Sequence, residues 1–278
     1  HASIDSAARV MDVDVLLADL DGELRLTGDA VTATINGRPA GTEVFAVVAT
    51  AGTTNVGIVD ALDSVADACA ASGAWFHVDG AYGGAALAAP SVRNLYNGVE
   101  RCDSLVVDPH KWLFSPFDCA ALVYREPAAA RRAHTQHAGY LEPLMDDTVF
   151  NPCDHAHVLT RRARGVPFWF SLATYGTDAY RDAIEETLTV ARATRDLVVA
   201  ADHLELIVEP ELSVVAFRRH GWGADDYQAW CDRLMADGTA MLTTTTFDGE
   251  PAMRVCIVNP RTTIDDLAEI LATLAPGA

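Results

Sequence analysis

Short apolar runs alternate with helical periods through the first half of the chain, and this alternation limits the possible folds more than any other feature. Four such runs, each four to seven residues long, have the character of buried strands. They cover residues 43–49, 74–78, 104–107 and 120–124. Strands separated by helices return to one sheet by right-handed crossovers, which makes neighbouring strands parallel. The pattern predicts an α/β fold, with a mostly parallel sheet and helices on its faces.

The segment after the first strand has the spacing of an amphipathic helix. Asp60 is of a type that caps helices, and Leu62, Val65 and Cys69 follow at intervals of three and four residues. Gly73 is a typical helix end. In sheets of this kind ligands bind at the carboxyl ends of the strands, so these ends are where we expect a site.

The alternation stops near residue 133. Residues 134–160 contain four histidines, two prolines and several acidic residues with little periodicity. Loops of this length are usually functional, and we expect a mobile catalytic loop. Helical periods then resume over residues 161–201.

The last part of the chain mixes strands and helices, which indicates a small α+β domain. Strands are expected at 204–208, 213–218, 240–244 and 253–257. The predicted organisation is therefore a large domain (1–133), the loop (134–160), connecting helices (161–201) and a small C-terminal domain (202–278).

Composition excludes several classes of protein. Half of the 278 residues are hydrophobic, enough to bury a full core, and no apolar run approaches the length of a membrane helix. The formal net charge of −19 repels phosphate backbones and anionic lipid, so nucleic acid and membrane are not expected partners. Six scattered cysteines without a paired motif are typical of free thiols, which predicts a cytoplasmic protein.

Lysine usage points to one residue. Of the 20 basic residues 19 are arginine, and Lys111 is the only lysine. A guanidinium stays protonated, whereas an amine can lose its proton and act as a nucleophile. Lys111 is therefore either a leftover surface residue or a position where an amine is required.

Two predicted strands run directly into charged residues. The strand at 74–78 is followed by Asp79, and the strand at 104–107 by Asp108 and, three residues later, Lys111. An acid at a strand end is often only a turn former or a helix cap. An amine and a carboxylate at one edge of a sheet are, however, what pyridoxal phosphate requires, the amine for covalent attachment and the carboxylate for the pyridine nitrogen.

Three segments together resemble the group II pyridoxal-phosphate-dependent amino acid decarboxylases. They are Val48-Ala49-Thr50-Ala51-Gly52-Thr53-Thr54, His77-Val78-Asp79-Gly80-Ala81-Tyr82-Gly83-Gly84 and Asp108-Pro109-His110-Lys111-Trp112. Phe117-Asp118-Cys119 is similar to the branch that acts on aromatic amino acids and histidine. Aminotransferases and desulfurases share the aspartate and the lysine, but the Pro-His-Lys-Trp setting argues against them. The resemblance implies a fold-type I enzyme that binds pyridoxal 5'-phosphate.

The resemblance also implies a role for individual residues. Lys111 would carry the cofactor, Asp79 would pair with the pyridine nitrogen, and the methyl group of Ala81 would pack on the ring. His110 and Asp108 would lie near the phosphate, although Asp108 replaces an asparagine that animal members have. Thr54 would lie beside the cofactor, and His1 would stack on the pyridine ring as a further catalytic residue.

The resemblance further implies a portion of chain before His1 that contributes to a dimer and to the substrate pocket. We therefore expect a homodimer or a complementing N-terminal chain as partner, besides a small amino acid substrate.

The predicted loop differs from the family in its proton donor. Family members carry a loop tyrosine that returns a proton to the substrate carbon after carbon dioxide leaves, and residues 141–160 contain no tyrosine. His155 takes its approximate place, and histidine can donate a proton near neutral pH. The alternatives are that the loop histidines are merely solvated, or that oxygen replaces the proton, as in aldehyde synthases of the family. Zinc binding by His134, His137, His155 or His157 is disfavoured because no third ligand is fixed, so we expect no metal.

The predicted function is decarboxylation of an L-amino acid, expected to be aromatic, to the amine and carbon dioxide. An aromatic aldehyde synthase on the same scaffold is the second possibility. The third is a subunit that keeps the lysine but depends on another chain for activity.

Overall fold

A mostly parallel sheet forms the first half of the structure. The structure is a computed structural model, which describes residues 1–136 and 150–277. The strand order of the sheet is β1-β2-β3-β4. The strands are β1 (Ala46–Thr50), β2 (Trp75–Asp79), β3 (Ser104–Val107) and β4 (Ala121–Tyr124). The first three are parallel, and β4 is antiparallel to β3. The predicted α/β sheet is thus present, with an antiparallel strand at one edge.

Two helices, α1 (Ala2–Met11) and α2 (Gly28–Gly37), precede the sheet in the chain. The helix α3 (Leu62–Ser72) buries the predicted apolar stripe and ends at Gly73, whose φ of 76° suits glycine. Asp60 does not cap it, because Ala61 is the capping residue. The Asp60 carboxylate instead accepts hydrogen bonds from the backbone N–H groups of Leu26 and Thr50, so this part of the prediction was wrong.

Tight helical turns take the place of a full helix between β2 and β3. Three 3₁₀ segments fill this connection: Gly83–Ala88, Pro90–Tyr96 and Val99–Arg101. After β4 the chain forms α4 (Pro127–His134) and, beyond the undescribed stretch, a 3₁₀ turn at Pro152–His155.

The second sheet is antiparallel, with the order β5-β6-β8-β7. Its strands are β5 (Leu204–Leu206), β6 (Val214–Arg219), β7 (Thr245–Phe247) and β8 (Glu250–Cys256), and the helices α6 (Ala224–Ala236) and α7 (Ile264–Ala272) accompany it. The strand expected at 240–244 is wrong. Residues 241–244 are irregular, and the strand begins only at Thr245. Four threonines in a row do not determine which of them pairs with the neighbouring strand.

One long helix contributes to both halves. The helix α5 (Gly165–Ala200) is interrupted at Gly176, where φ is 80° and ψ is 162°. Ile184 and Leu188 lie in the core of the first sheet, and Val190 and Val198 lie in the core of the second. Rigid packing of α5 against two cores links the position of the first sheet to that of the second.

Two further observations concern the whole described chain. All six cysteines are free. No helix within residues 1–136 and 150–277 has the length and apolar character needed to cross a bilayer.

Candidate active site

The carboxyl ends of three adjacent parallel strands form one edge of the first sheet. Thr50 at the end of β1 pairs with Asp79 at the end of β2, and Asp79 pairs with Val106 near the end of β3. The residues predicted at 54, 79, 81, 108, 110 and 111 all lie on these ends or in the turns that follow. The structure therefore brings six of the predicted residues to one edge.

Asp79 is the last residue of β2 and is half-buried. One of its carboxylate oxygens, Oδ1, accepts the backbone N–H of Ala81 at 3.0 Å, which orients the carboxylate at the strand end. His77 lies two residues earlier, on the same face of the strand. Its Nδ1 lies 2.8 Å from the Ser104 hydroxyl, and burial lowers the pKa of His77, against the opposing effect of Asp79.

Lys111 lies in the turn after β3 and is accessible. Its side chain is 43% exposed, and Nζ lies 2.8 Å from Oδ2 of Asp108. Asp108 is itself largely buried, with a side chain 13% exposed. Asp108, which was predicted to lie near a phosphate, therefore forms an ion pair with Lys111. This ion pair holds the amine at the strand end.

His110 is fixed by the backbone that follows it. Its Nδ1 contacts both the carbonyl oxygen of Cys119, at 2.6 Å, and the N–H of the same residue, at 3.1 Å. The ring also packs edge-on against Phe117, with centroids 5.0 Å apart. Because Nδ1 is engaged, Nε2 is the ring nitrogen available to a ligand.

The turn after β1 carries Thr54, whose side chain is exposed. Its carbonyl oxygen accepts a short hydrogen bond from Arg254 in β8, and the same guanidinium donates to the side chain of Asn55 at 2.9 Å. The second sheet therefore holds this turn in place.

The other two predicted catalytic residues have no described contact with these turns. His1 caps α1, where its Nδ1 lies 2.8 Å from the Ser3 hydroxyl, and it is exposed. His155 closes the 3₁₀ turn at 152–155 and stacks on Phe150, with ring centroids 5.0 Å apart. The neighbouring Asp154 is buried and pairs with Arg131 of α4 at 3.6 Å.

The remaining histidines of the predicted loop do not converge in the described part. His134 lies 3.5 Å from the Tyr124 hydroxyl, and the carbonyl oxygen of His157 accepts a hydrogen bond from Gln136. His137 lies outside the described residues. Within residues 1–136 and 150–277 no three histidine, cysteine or acidic side chains are grouped as metal ligands.

Several residues at this edge were not predicted. Tyr82 and Trp112 stack on each other beside the predicted residues. Asp118 receives hydrogen bonds from Arg162 and Arg164, which ties the turn after Lys111 to the start of α5. Tyr82, Trp112 and Asp118 stand in the segments that carry the family resemblance, but their contacts join residues far apart in the chain and cannot be predicted from those segments.

The donor set at this edge fits pyridoxal phosphate in its chemistry. An accessible amine, an oriented carboxylate and an imidazole with one free nitrogen lie on adjacent strand ends, which supplies the groups that this cofactor needs. A mostly parallel sheet with such a set at its carboxyl ends defines the class of pyridoxal-phosphate enzymes of fold-type I.

Comparison with known proteins identifies the family. The family described as "Pyridoxal-dependent decarboxylase conserved domain" matches residues 1–220, and the chain belongs to it. An aromatic-L-amino-acid decarboxylase of Bacillus atrophaeus is 30% identical over 98% of this chain and 59% of its own length. An L-2,4-diaminobutyrate decarboxylase of Rhizobium meliloti is 34% identical over 100% of this chain and 58% of its own length.

Solved structures agree with this assignment. Mouse CSAD in its apo form superimposes with a TM-score of 0.86 at 26% identity, over 99% of this chain and 61% of that chain. Oryza sativa TDC with PLP and tryptamine superimposes with a TM-score of 0.86 at 27% identity, over 99% of this chain and 60% of that chain. The predicted fold-type I architecture is confirmed. This chain spans about three fifths of the length of these relatives.

Proposed function

We propose that this chain carries the lysine half of a pyridoxal-phosphate-dependent decarboxylase, which converts an aromatic L-amino acid to its amine and carbon dioxide. One observation carries the proposal: the only lysine of the chain is accessible at the carboxyl end of a parallel sheet, one strand away from Asp79. When bound, pyridoxal phosphate supplies an electron sink for the pair released as the Cα–carboxylate bond breaks.

Each group at the edge has a task that suits its position. The Lys111 amine attaches the cofactor, and the Asp108 carboxylate holds that amine in place at 2.8 Å. Asp79 keeps a proton on the pyridine nitrogen, because an anionic carboxylate stabilises a neighbouring cation. Ala81 offers a small methyl group to the ring, and His110 offers Nε2 to the cofactor. Thr54 and His1 would add further contacts to the bound cofactor.

The preference for an aromatic substrate is supported by Phe117-Asp118-Cys119, the segment similar to the aromatic and histidine branch. Relatives of this chain include decarboxylases named for aromatic amino acids, for histidine and for L-2,4-diaminobutyrate. Aromatic, imidazole and cationic side chains are therefore the three substrate classes to compare.

A second chain is part of the proposed functional unit, as a homodimer partner or as a complementing N-terminal chain. Several large apolar side chains are exposed in this chain, among them Val10 (85%), Leu17 (88%), Trp169 (62%) and Phe170 (60%). A partner chain that covered these side chains would remove apolar surface from water, which supports the proposal. A cytoplasmic location remains part of the proposal, in agreement with six free thiols.

His155 is proposed as the acid that returns the proton to the substrate carbon. It lies on the C-terminal side of the loop, in a turn that the ion pair of Asp154 with Arg131 joins to α4. If no side chain delivers the proton, oxygen competes for the same carbon, and the product becomes the aldehyde with ammonia and peroxide. Tyr140, which directly precedes the tyrosine-free stretch in the sequence and lies outside the described residues, is the alternative donor to test.

The test is a turnover assay of the protein loaded with pyridoxal phosphate, alone and with the N-terminal portion of a relative. Aromatic amino acids, histidine and L-2,4-diaminobutyrate are offered, and carbon dioxide, amine, ammonia and peroxide are measured. We expect amine and carbon dioxide in equal amounts from an aromatic substrate, and none from Lys111→Arg. Equal ammonia and aldehyde would identify a synthase, and no turnover in either mixture would refute the proposal.

A further inference from the structure

Two aromatic side chains connect the turns of the candidate site, yet neither is assigned a role above. Tyr82 follows Asp79 by three residues, and Trp112 directly follows Lys111. Their rings are stacked, with centroids 5.1 Å apart and planes inclined by 12°. Trp112 is completely buried. The stack therefore joins the turn that carries Asp79 and Ala81 to the turn that carries Lys111.

Hydrogen bonds hold both rings from outside the first sheet. The Trp112 indole Nε1 donates to the Thr187 hydroxyl of α5 at 2.9 Å. The Tyr82 hydroxyl accepts the N–H of Ser213 at 3.0 Å and lies 2.6 Å from the hydroxyl of the same serine. Burial raises the pKa of the Tyr82 phenol, so the phenol is neutral at every physiological pH. Since buried hydrogen bonds fix ring orientation, the stack is held by α5 on one side and by the segment before β6 on the other.

The turn after β1 packs against the same stack. A Cβ atom on Gly52 would lie 3.0 Å from Cδ1 of Tyr82 and 2.8 Å from Cα of Gly83. The backbone of Gly52 therefore lies directly on the Tyr82 ring. The N–H of Asp108 also donates to the carbonyl of Ala81 at 3.1 Å. All three strand-end turns thus meet at Tyr82 and Trp112.

We propose that Tyr82 and Trp112 are positioning residues, which set the spacing between Asp79 and Lys111 so that one pyridoxal phosphate molecule reaches both. The inference rests on the proposed function, in which Asp79 and Lys111 would both reach the same rigid pyridine ring. A ring of fixed size bonds well to both groups only at one spacing, and misplacement of reacting groups by about 1 Å is costly. Neither aromatic side chain needs to touch the substrate for this role.

The chain contains a matched pair of residues for the test. Trp230 is nearly as buried as Trp112, at 2% against 0% exposure, and its Nε1 donates to the Thr273 hydroxyl at 2.8 Å in the second core. Thr187 and Thr273 each donate to a carbonyl three residues earlier, at 2.7 and 2.6 Å. Trp112→Phe and Thr187→Val are the site variants, and Trp230→Phe and Thr273→Val are their controls away from the site.

The first measurement is amide hydrogen exchange of the protein without cofactor. The N–H of Gly80 donates to Val106, and that of Asp108 donates to Ala81, so both amides report on the junction of the two turns. We expect Trp112→Phe to speed exchange at Gly80 and Asp108 by at least about tenfold, and its control to leave both unchanged. Thr187→Val, which keeps the stack, should have a smaller effect in the same direction.

The second measurement is the dissociation constant of pyridoxal phosphate, from an absorbance titration, with visible circular dichroism of the bound cofactor. Trp112→Phe should weaken binding by about tenfold and change the dichroism, which reports the tilt of the ring. Trp230→Phe should lose about as much thermal stability as Trp112→Phe but should change neither the dissociation constant nor the dichroism.

The outcomes separate this inference from the proposed function. Equal changes in site and control variants, or no change in Trp112→Phe, would overturn the positioning role. A wild-type protein that binds no pyridoxal phosphate would refute the proposed function instead. Exchange at Gly80 and Asp108 would still decide whether the stack joins the turns.

Discussion

Asp60 makes the stability of this protein depend on pH in an unusual direction. The residue is 5% exposed, and its carboxylate accepts the N–H groups of Thr50 at 2.6 Å and Leu26 at 2.8 Å. Burial raises its pKa from 3.8 to about 6, because lost hydration outweighs these two hydrogen bonds and the attraction of Arg25. The folded state therefore prefers the protonated acid.

The sign of the effect follows from the two states of the chain. In the unfolded chain Asp60 loses its proton near its ordinary value of 3.8, whereas in the folded protein it keeps the proton up to about 6. The stabilisation is fully present below the unfolded value and is lost as the pH rises through the folded value. The difference corresponds to about 3 kcal/mol, and about half of it falls between pH 5 and pH 7.

Urea unfolding of the wild type and of Asp60→Asn at pH 5, 6 and 7 measures this contribution. Asparagine keeps the size and one carbonyl acceptor but cannot ionise. We expect the unfolding free energy of the wild type, relative to the variant, to fall by about 1.5 kcal/mol from pH 5 to pH 7. Asp118→Asn is the control, because hydrogen bonding to Arg164 lowers the pKa of Asp118, so its ionisation is complete below this range. A difference that stays constant or grows for Asp60→Asn would refute the reasoning.

Three further predictions concern the candidate site. Asp79→Asn should fold and retain cofactor absorbance but lose at least about 10²-fold in turnover, since an amide cannot stabilise a charged pyridine nitrogen; wild-type turnover would sink this role. Gly52→Ala should lower the midpoint of thermal unfolding more than Gly221→Ala, because both have positive φ but only Gly52 would contact neighbours; equal losses would contradict the packing. His155→Phe should slow amine release by about 10² to 10⁴ and raise aldehyde, measured as product ratio. If Tyr140→Phe does this instead, the acid is Tyr140.

Local patterns were enough to predict the residues at the strand ends. Asp79 was predicted because a short apolar run ends directly before it, and Lys111 because a similar run ends at Asp108 and because a single lysine stands out in an arginine-rich chain. The parallel order of β1, β2 and β3 followed from the helical segments between them. These features depend on neighbours within a few residues, which the sequence displays directly.

Contacts between distant segments could not be predicted in this way. Tyr82 bonds to Ser213 and Trp112 to Thr187, at separations of 131 and 75 residues. Asp60 has the pattern of a helix cap, but Leu26, brought close only by the tertiary fold, supplies one of its donors. The prediction of a strand at 240–244 was wrong for a related reason. Pairing with β8 decides which of the threonines form the strand.

The most direct test of the central claim is the site of cofactor attachment. The protein loaded with pyridoxal phosphate is reduced with borohydride, digested, and mapped by mass spectrometry, with Lys111→Ala as the control. We predict that the pyridoxyl mass is found on the peptide that contains Lys111, and that the control shows none. A pyridoxyl group found only on other peptides, or equal labelling of the control, would contradict the account.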